Sequence, residues 1–110
     1  MERLYLVLST FETKEEAQQL GRVLVEQGLA ACSQVSGPIS SSYLWNGLVE
    51  EATEYKLTLK VCADKLEKLK IMLEQQHSYD TPMIIVLKTD DVNQSYWDWA
   101  CENGEQNEWR

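Results

Sequence analysis

A two-residue turn between two long strand-forming segments constrains this chain more than any other feature. Asn46-Gly47 tolerates the positive φ angles of a tight hairpin turn, and it lies between residues 39–45 and 49–61. Large side chains alternate along both segments, which is the two-residue period of a strand. The sequence therefore predicts an antiparallel hairpin that is long for a chain of 110 residues.

Two segments are predicted to be helices because a capping motif precedes apolar residues at helical spacing. The residues TKEE at 13–16 form a capping box, and the first helix is expected over residues 14–27 with Gly28 as its C-terminal cap. A similar motif at residues 64–67 begins a second helix, which is expected to end near His77.

The remaining elements complete a familiar order. Further strands are expected at residues 4–10, 29–35 and 83–87, with a bend at Gly37-Pro38, a short terminal helix at 93–101 and a polar surface tail from residue 102. The order β-α-β-β-α-β with a trailing helix is the split βαβ pattern of the ferredoxin-like α+β sandwich. We expect a single domain over residues 1–110.

One face of the predicted sheet has no helix to cover it. The two long helices occupy the other face, while the long strands carry Tyr43, Trp45, Tyr55 and Leu57. We assign these four side chains to the bare face, and an uncovered apolar face of this size favours burial against other subunits.

Charge and cysteine content narrow the function classes. The formal net charge of −8 repels nucleic-acid phosphates and anionic membrane surfaces, so neither partner is expected. The first residues lack a signal-peptide pattern and no apolar run approaches a membrane span, which predicts a cytoplasmic address. Cys32, Cys62 and Cys101 are an odd number without CxxC spacing, and we expect them to be reduced thiols.

Several motifs resemble the CutA divalent-ion-tolerance family. LAACSQ at residues 29–34 and PISSSYLWNG at 38–47 resemble its small-residue and cysteine segment followed by a Tyr-x-Trp-x-Gly hairpin. The residues LK at 59–60, HSY at 77–79 and TP at 81–82 are similar to further family positions, as is the spacing of Tyr96 and Trp99. Three residues depart from the family pattern: Val61, Ser78 and Met83, the last of which removes a carboxylate.

The resemblance implies a fold, an assembly and a ligand class. It implies a ferredoxin-like subunit, a homotrimer in which long hairpins associate edge to edge, and a shape similar to the PII signalling proteins. It also implies an association with copper and other divalent ions. The function expected from it is divalent metal ion tolerance, as a metal-binding, scaffold or sensor protein. The alternative is a PII-like signalling module that binds a small anionic ligand or a partner protein between subunits.

Two residues are candidate metal ligands. His77 is the single histidine, and its neutral imidazole suits Cu(II) or another divalent cation. Cys32 lies in the small-residue strand segment and offers a thiolate. Each also has a structural interpretation: His77 as a helix-terminal cap, and Cys32 as a small buried hydrophobe.

Four residues are candidates for an inter-subunit ligand cleft. Lys60 and Tyr79 would bind an anionic ligand, and Tyr43 and Trp45 would line the cleft, although aromatic side chains on sheets are commonly packing anchors. Alternatively, Lys60 would pair with Glu51 or Glu54. Glu50-Glu51 is expected to be a solvated loop, and no catalytic constellation or enzyme class is identified.

Overall fold

In the computed structural model, which describes residues 2–103, helices pack against one face of a four-stranded sheet. The strands are β1 (Leu4–Phe11), β2 (Cys32–Trp45), β3 (Leu48–Cys62) and β4 (Ile85–Lys88). The helices are α1 (Lys14–Glu26), α2 (Leu66–Gln76) after a 3-10 turn at Ala63–Lys65, and α3 (Gln94–Trp97), which continues as a π-helical segment at Asp98–Asn103. The sheet is antiparallel in the order β2-β3-β1-β4, which confirms the ferredoxin-like α+β prediction.

Helix α1 begins and ends where its sequence signals predict. The Glu16 backbone N–H donates to the Thr13 hydroxyl at 3.2 Å, and that hydroxyl donates to the Glu16 carboxylate at 3.3 Å. Gly28 has a φ of 73°, the left-handed conformation that glycine adopts after a helix. By contrast, the N-terminus of α2 has no side-chain cap, so the expected capping role of Asp64 is wrong.

A bulge lies in β2 at the predicted bend. Ser36 pairs with Lys56, and Ile39 pairs with Glu54, so β2 advances by three residues while β3 advances by two. Gly37 has a φ of 145°, and a Cβ there would lie 2.7 Å from the Tyr55 ring. The strand therefore continues through the bend, and the extra residue reverses which side chains of β2 face each side of the sheet.

The core lies between the helices and one face of the sheet. Leu57, Leu59 and Val61 alternate on this face of β3 and are fully buried. Leu57 lies next to Gly21 of α1, and Tyr55 packs against the core. Our assignment of Tyr55 and Leu57 to the bare face is therefore wrong, because both face the helices.

The opposite side, which we call the open face, carries a different set of residues. Its apolar members include Leu6 and Leu8 of β1 with their β4 partners Leu87 and Ile85, which expose 45% and 46% of their surface. Residues 94–103, which we call the terminal helix, lie against the end of β3 on this side. The open face is therefore partly covered by the chain itself.

A disulfide bond joins the terminal helix to the sheet. Cys62 at the end of β3 is bonded to Cys101, with their Cα atoms 5.6 Å apart. The prediction of three reduced thiols is therefore wrong for this pair, and only Cys32 is a free cysteine among the described residues. The sequence did not reveal the pair because 39 positions separate its members.

Two further sequence predictions concern membrane-spanning helices and the C-terminal tail. No helix among residues 2–103 is long and apolar enough to cross a membrane. The predicted surface tail falls mostly outside the described residues.

Candidate functional site

An open cavity of about 1210 Å³ lies beside the half of the β2–β3 hairpin that is nearer the turn. We call it the hairpin cavity. Its wall comes from both hairpin strands, from the end of β1 and from the segment after α2. Its carboxylates are Glu12, Glu50, Glu54 and Asp80, its aromatic residues are Tyr43, Trp45 and Tyr79, and Met83 also lines it.

The bulge in β2 explains why the aromatic residues and the acidic residues meet. Before the bulge, Gln34 and Ser36 share a face with Thr58 and Lys56 of β3. After the bulge, Tyr43 lies opposite Glu50. Directly opposed residues in an antiparallel pair share one side of the sheet, so the one-residue insertion puts the odd-numbered side chains of β2 on the side of Glu50 and Glu54. Both Glu50 and Glu51 lie on β3 and are exposed, so the predicted loop is wrong and the predicted solvent exposure is confirmed.

His77 is buried directly after α2 and ties that helix to β1. Its ring stacks on Phe11 with centroids 4.2 Å apart, and only 9% of its surface is exposed. The Tyr79 backbone N–H donates to Nδ1 at 3.1 Å, so the ring proton belongs on Nε2, which lies 3.0 Å from both the Thr10 carbonyl and the Ser9 hydroxyl. Burial lowers the pKa of His77, although the hydrogen bond to Thr10 opposes this effect.

Tyr79 connects buried His77 to the wall of the hairpin cavity. Its hydroxyl donates to the Glu54 carboxylate at 2.9 Å, and its ring lies 5.0 Å from that of His77. Burial raises the pKa of Tyr79, and the hydrogen bond to Glu54 raises it further, so the hydroxyl remains protonated. His77 therefore positions Tyr79, and Tyr79 holds one cavity carboxylate in place.

Lys60 and Cys32 lie outside the hairpin cavity. They are directly opposed across β2 and β3, and Cys32 is 8% exposed. The Lys60 ammonium donates to the Gln34 side chain at 2.7 Å and lies 5.9 Å from the centre of the Tyr96 ring. Lys60 therefore contacts neither glutamate that was considered as its partner, and it does not share the cavity with Tyr79.

The structure thus divides the predicted site residues into a group at the hairpin cavity and a second group, Lys60 and Cys32, outside it. Tyr43, Trp45 and Tyr79 line the hairpin cavity, and His77 supports it from within the core. Sequence reasoning missed Glu12 and Asp80 because each lies in a connection whose position depends on the finished sheet. The hairpin register could have identified Glu54, since the bulge residues Gly37-Pro38 are visible in the sequence.

The arrangement favours a cationic ligand over an anionic one. Carboxylate and hydroxyl oxygens suit hard divalent cations, and aromatic faces also attract cations. However, no three His, Cys, Asp or Glu side chains within residues 2–103 lie close enough together to hold a metal ion. His77 has both ring nitrogens engaged in hydrogen bonds, so its role as a metal ligand stays a prediction, as does that of Cys32.

Comparisons with known proteins agree with the fold and with the sequence motifs. Residues 5–103 match the family model described as CutA1 divalent ion tolerance protein. The divalent-cation tolerance protein CutA of Thermus thermophilus is 36% identical over 98 residues, which cover 89% of this chain and 95% of that protein. The CutA of Pyrococcus horikoshii is 34% identical over 99 residues, covering 90% and 96%. The CutA structure from Synechococcus elongatus superposes with a TM-score of 0.88 at 37% identity, covering 94% of this chain and 91% of that one.

Proposed function

This chain belongs to the CutA1 divalent ion tolerance family, and we propose that it acts in divalent-cation tolerance as a homotrimer that binds cations at the hairpin cavity. The observation that carries this proposal is the chemistry of the cavity wall. Among the described residues that line it, Glu12, Glu50, Glu54 and Asp80 are acidic and none is a lysine, arginine or histidine. A concave wall of one charge sign raises the local concentration of counter-ions.

The tip of the hairpin supports assembly from several copies. Leu44, Trp45, Leu48 and Val49 expose between 64% and 72% of their surface around the turn at Asn46-Gly47. Contiguous exposed apolar side chains of this size mark interaction surfaces. Closed symmetric assemblies of identical chains are the common solution for such surfaces in soluble proteins, and the family resemblance favours three copies.

Assembly also accounts for the incomplete ligand set of one chain. The described residues of a single copy do not gather three close His, Cys, Asp or Glu side chains, whereas Trp45 belongs both to the apolar tip and to the cavity wall. A second copy that packs against the tip is therefore adjacent to the hairpin cavity. We propose that its donors complete the coordination of the cation.

The donor chemistry sets the preference among cations. Oxygen ligands suit Mg²⁺, Ca²⁺ and Mn²⁺, whereas copper(II) prefers imidazole and copper(I) prefers thiolate. Copper binding by His77 would break its hydrogen bond to Tyr79 or to Thr10. Copper binding by Cys32 would require a thiol that is buried in this structure. Met83 adds only a thioether to the cavity, which is a soft and uncharged donor.

The PII-like alternative receives less support from the same geometry. An anionic metabolite at the hairpin cavity would face four carboxylates, and Lys60 lies elsewhere on the open face. A partner protein at the apolar tip is compatible with the exposed side chains. Such a partner would be recognised because its binding would compete with assembly of the chain.

Isothermal titration calorimetry with Mn²⁺ and, separately, Cu²⁺ tests the proposal. We expect saturable binding that weakens at least about tenfold in Glu54→Gln, because this change removes a cavity charge and keeps the shape. Glu74→Gln is the matched control, since Glu74 is exposed on α2 away from the cavity. Equal affinity in the natural chain and in both variants, or no saturable heat with either ion, would contradict a cation site at the hairpin cavity.

A further inference from the structure

The terminal helix is attached to the open face by one covalent bond and a few polar and aromatic contacts. Cys101 is bonded to Cys62 of β3, and the Lys60 ammonium lies 5.9 Å from the centre of the Tyr96 ring. The Trp97 indole N–H donates to the Glu2 carbonyl at 2.8 Å. These contacts fix the helix across the end of the sheet where β2 begins and β3 ends.

The free thiol of Cys32 lies on the strand that pairs with β3 beside the terminal helix. Cys32 is directly opposite Lys60, on the side of the sheet where Tyr96 packs, and it is 8% exposed. The Tyr96 hydroxyl oxygen is buried and has no hydrogen-bond partner among the described residues. Burial raises the pKa of Tyr96, and Cys32 raises it further.

The terminal helix stays at least partly exposed along its length. None of residues 94–102 is fully buried, and Asn93, which precedes the helix, makes no side-chain capping hydrogen bond. An isolated helix of about ten residues is marginal in water, so this segment depends on its attachment to the sheet. Cys101 is half-buried, which leaves the disulfide within reach of a small reductant.

We propose that the Cys62–Cys101 disulfide is a redox-controlled latch that keeps the terminal helix over Cys32. A dithiol reductant supplies two electrons and two protons: its own disulfide forms, the Cys62–Cys101 bond breaks, and each cysteine leaves as a thiol. Without the latch, the terminal helix separates from the open face and Cys32 becomes a modification site for thiol-directed electrophiles and oxidants. This device goes beyond cation binding, because it involves no residue of the hairpin cavity.

Alkylation of the natural chain by iodoacetamide, followed by peptide mass spectrometry, measures each thiol separately. After oxidation, Cys62 and Cys101 are expected to resist alkylation and Cys32 to react slowly. After reduction by dithiothreitol and removal of the reductant, Cys32 is expected to react about tenfold faster or more, because a locally opened segment exposes it. An unchanged Cys32 rate, or free Cys62 and Cys101 in the oxidised chain, would overturn the proposal.

Two controls separate release of the helix from loss of the fold. Cys101→Ser is expected to give the fast Cys32 rate with or without a reductant, and a slow rate in that variant would contradict the latch. Hydrogen exchange of the reduced natural chain is expected to accelerate in residues 94–103 while the amides of β1 and β3 remain protected. Equal loss of protection throughout the sheet would show global unfolding and would also overturn the proposal.

Discussion

At the base of the β2–β3 hairpin, Leu57 and Leu59 are fully buried, whereas at its tip Leu44 and Val49 expose 72% and 71% of their surface. Both ends use apolar strand residues, and they differ in what covers them. Helices of the same chain cover the base, while the apolar side chains at the tip remain exposed. The base therefore stabilises the single chain, and the exposed tip is the surface that we propose for contacts between chains.

Truncation at the base is the largest effect that this comparison predicts. Leu57→Ala leaves a cavity in the core and is expected to lower the free energy of unfolding by about 2–5 kcal/mol. Denaturant unfolding at several chain concentrations measures it. Leu44→Ala deletes the same atoms from the exposed tip, and at concentrations too low for assembly its cost is expected to stay below about 0.5 kcal/mol. Equal costs for both variants at low concentration would remove the distinction between base and tip.

Removal of the disulfide tests how much of the base depends on covalent attachment. Cys101→Ser releases a cross-link that spans 39 positions, and we expect a loss of about 2–4 kcal/mol because the unfolded chain gains conformational freedom. Denaturant unfolding of the oxidised natural chain provides the reference. The reduced natural chain is the control and is expected to match the variant. A stability equal to that of the oxidised chain would argue that the bond contributes nothing.

A charge introduced at the tip tests the proposed role of the tip in assembly. Leu44→Asp is expected to weaken assembly by about 1–3 kcal/mol, because it places a carboxylate in the proposed apolar contact. Light scattering across a dilution series measures this change. Ile71→Asp on α2 is the control, since Ile71 is also an exposed apolar residue, at 58%, but lies away from the hairpin. Equal loss of assembly in both variants would argue against a specific role for the tip.

The pH dependence of stability reports on the buried imidazole between these two regions. The pKa of His77 is lowered in the folded chain, so the unfolded chain binds more protons as the pH falls below about 6.5. Stability is therefore present above that pH and is lost as the pH falls towards the folded pKa, with a slope of at most about 1.4 kcal/mol per pH unit. Urea unfolding between pH 7 and 5 measures the slope. His77→Gln cannot titrate, and an unchanged slope in that variant would contradict this assignment.

The hydroxyl that links the core to the hairpin cavity has the smallest predicted effect. Tyr79→Phe removes the hydrogen bond to Glu54 and is expected to cost about 1 kcal/mol of unfolding free energy. Thermal unfolding compared with Tyr43→Phe provides the test, because Tyr43 is exposed on the other cavity wall. Equal changes in the two variants would mean that the Tyr79 hydroxyl does not hold Glu54.

Local chemistry made the hairpin and the helix starts readable from the sequence. Asn46-Gly47 and the Thr13 capping box act over two to four residues, and both are found where the sequence places them. Tyr55 and Leu57 were assigned to the wrong face because the one-residue bulge at Gly37-Pro38 separates their side of the sheet from that of Tyr43. The alternation of large and small side chains along β2 does not reveal that the bulge adds one residue.

Long-range contacts account for what the sequence concealed at the site. Glu12 and Asp80 meet the hairpin only when β1 and the segment after α2 are in place. Cys62 and Cys101 are also far apart in sequence, and the terminal helix brings them together on the open face. Single-chain patterns predict the exposed tip, since its apolar residues flank a turn, but they do not identify what covers it.

The solution mass of the natural chain tests the central claim most directly, because the base-and-tip account requires other copies at the tip. Light scattering after size exclusion is expected to give about three times 12.7 kDa, persisting on dilution to micromolar concentration. A single species at 12.7 kDa under the same conditions would contradict the account.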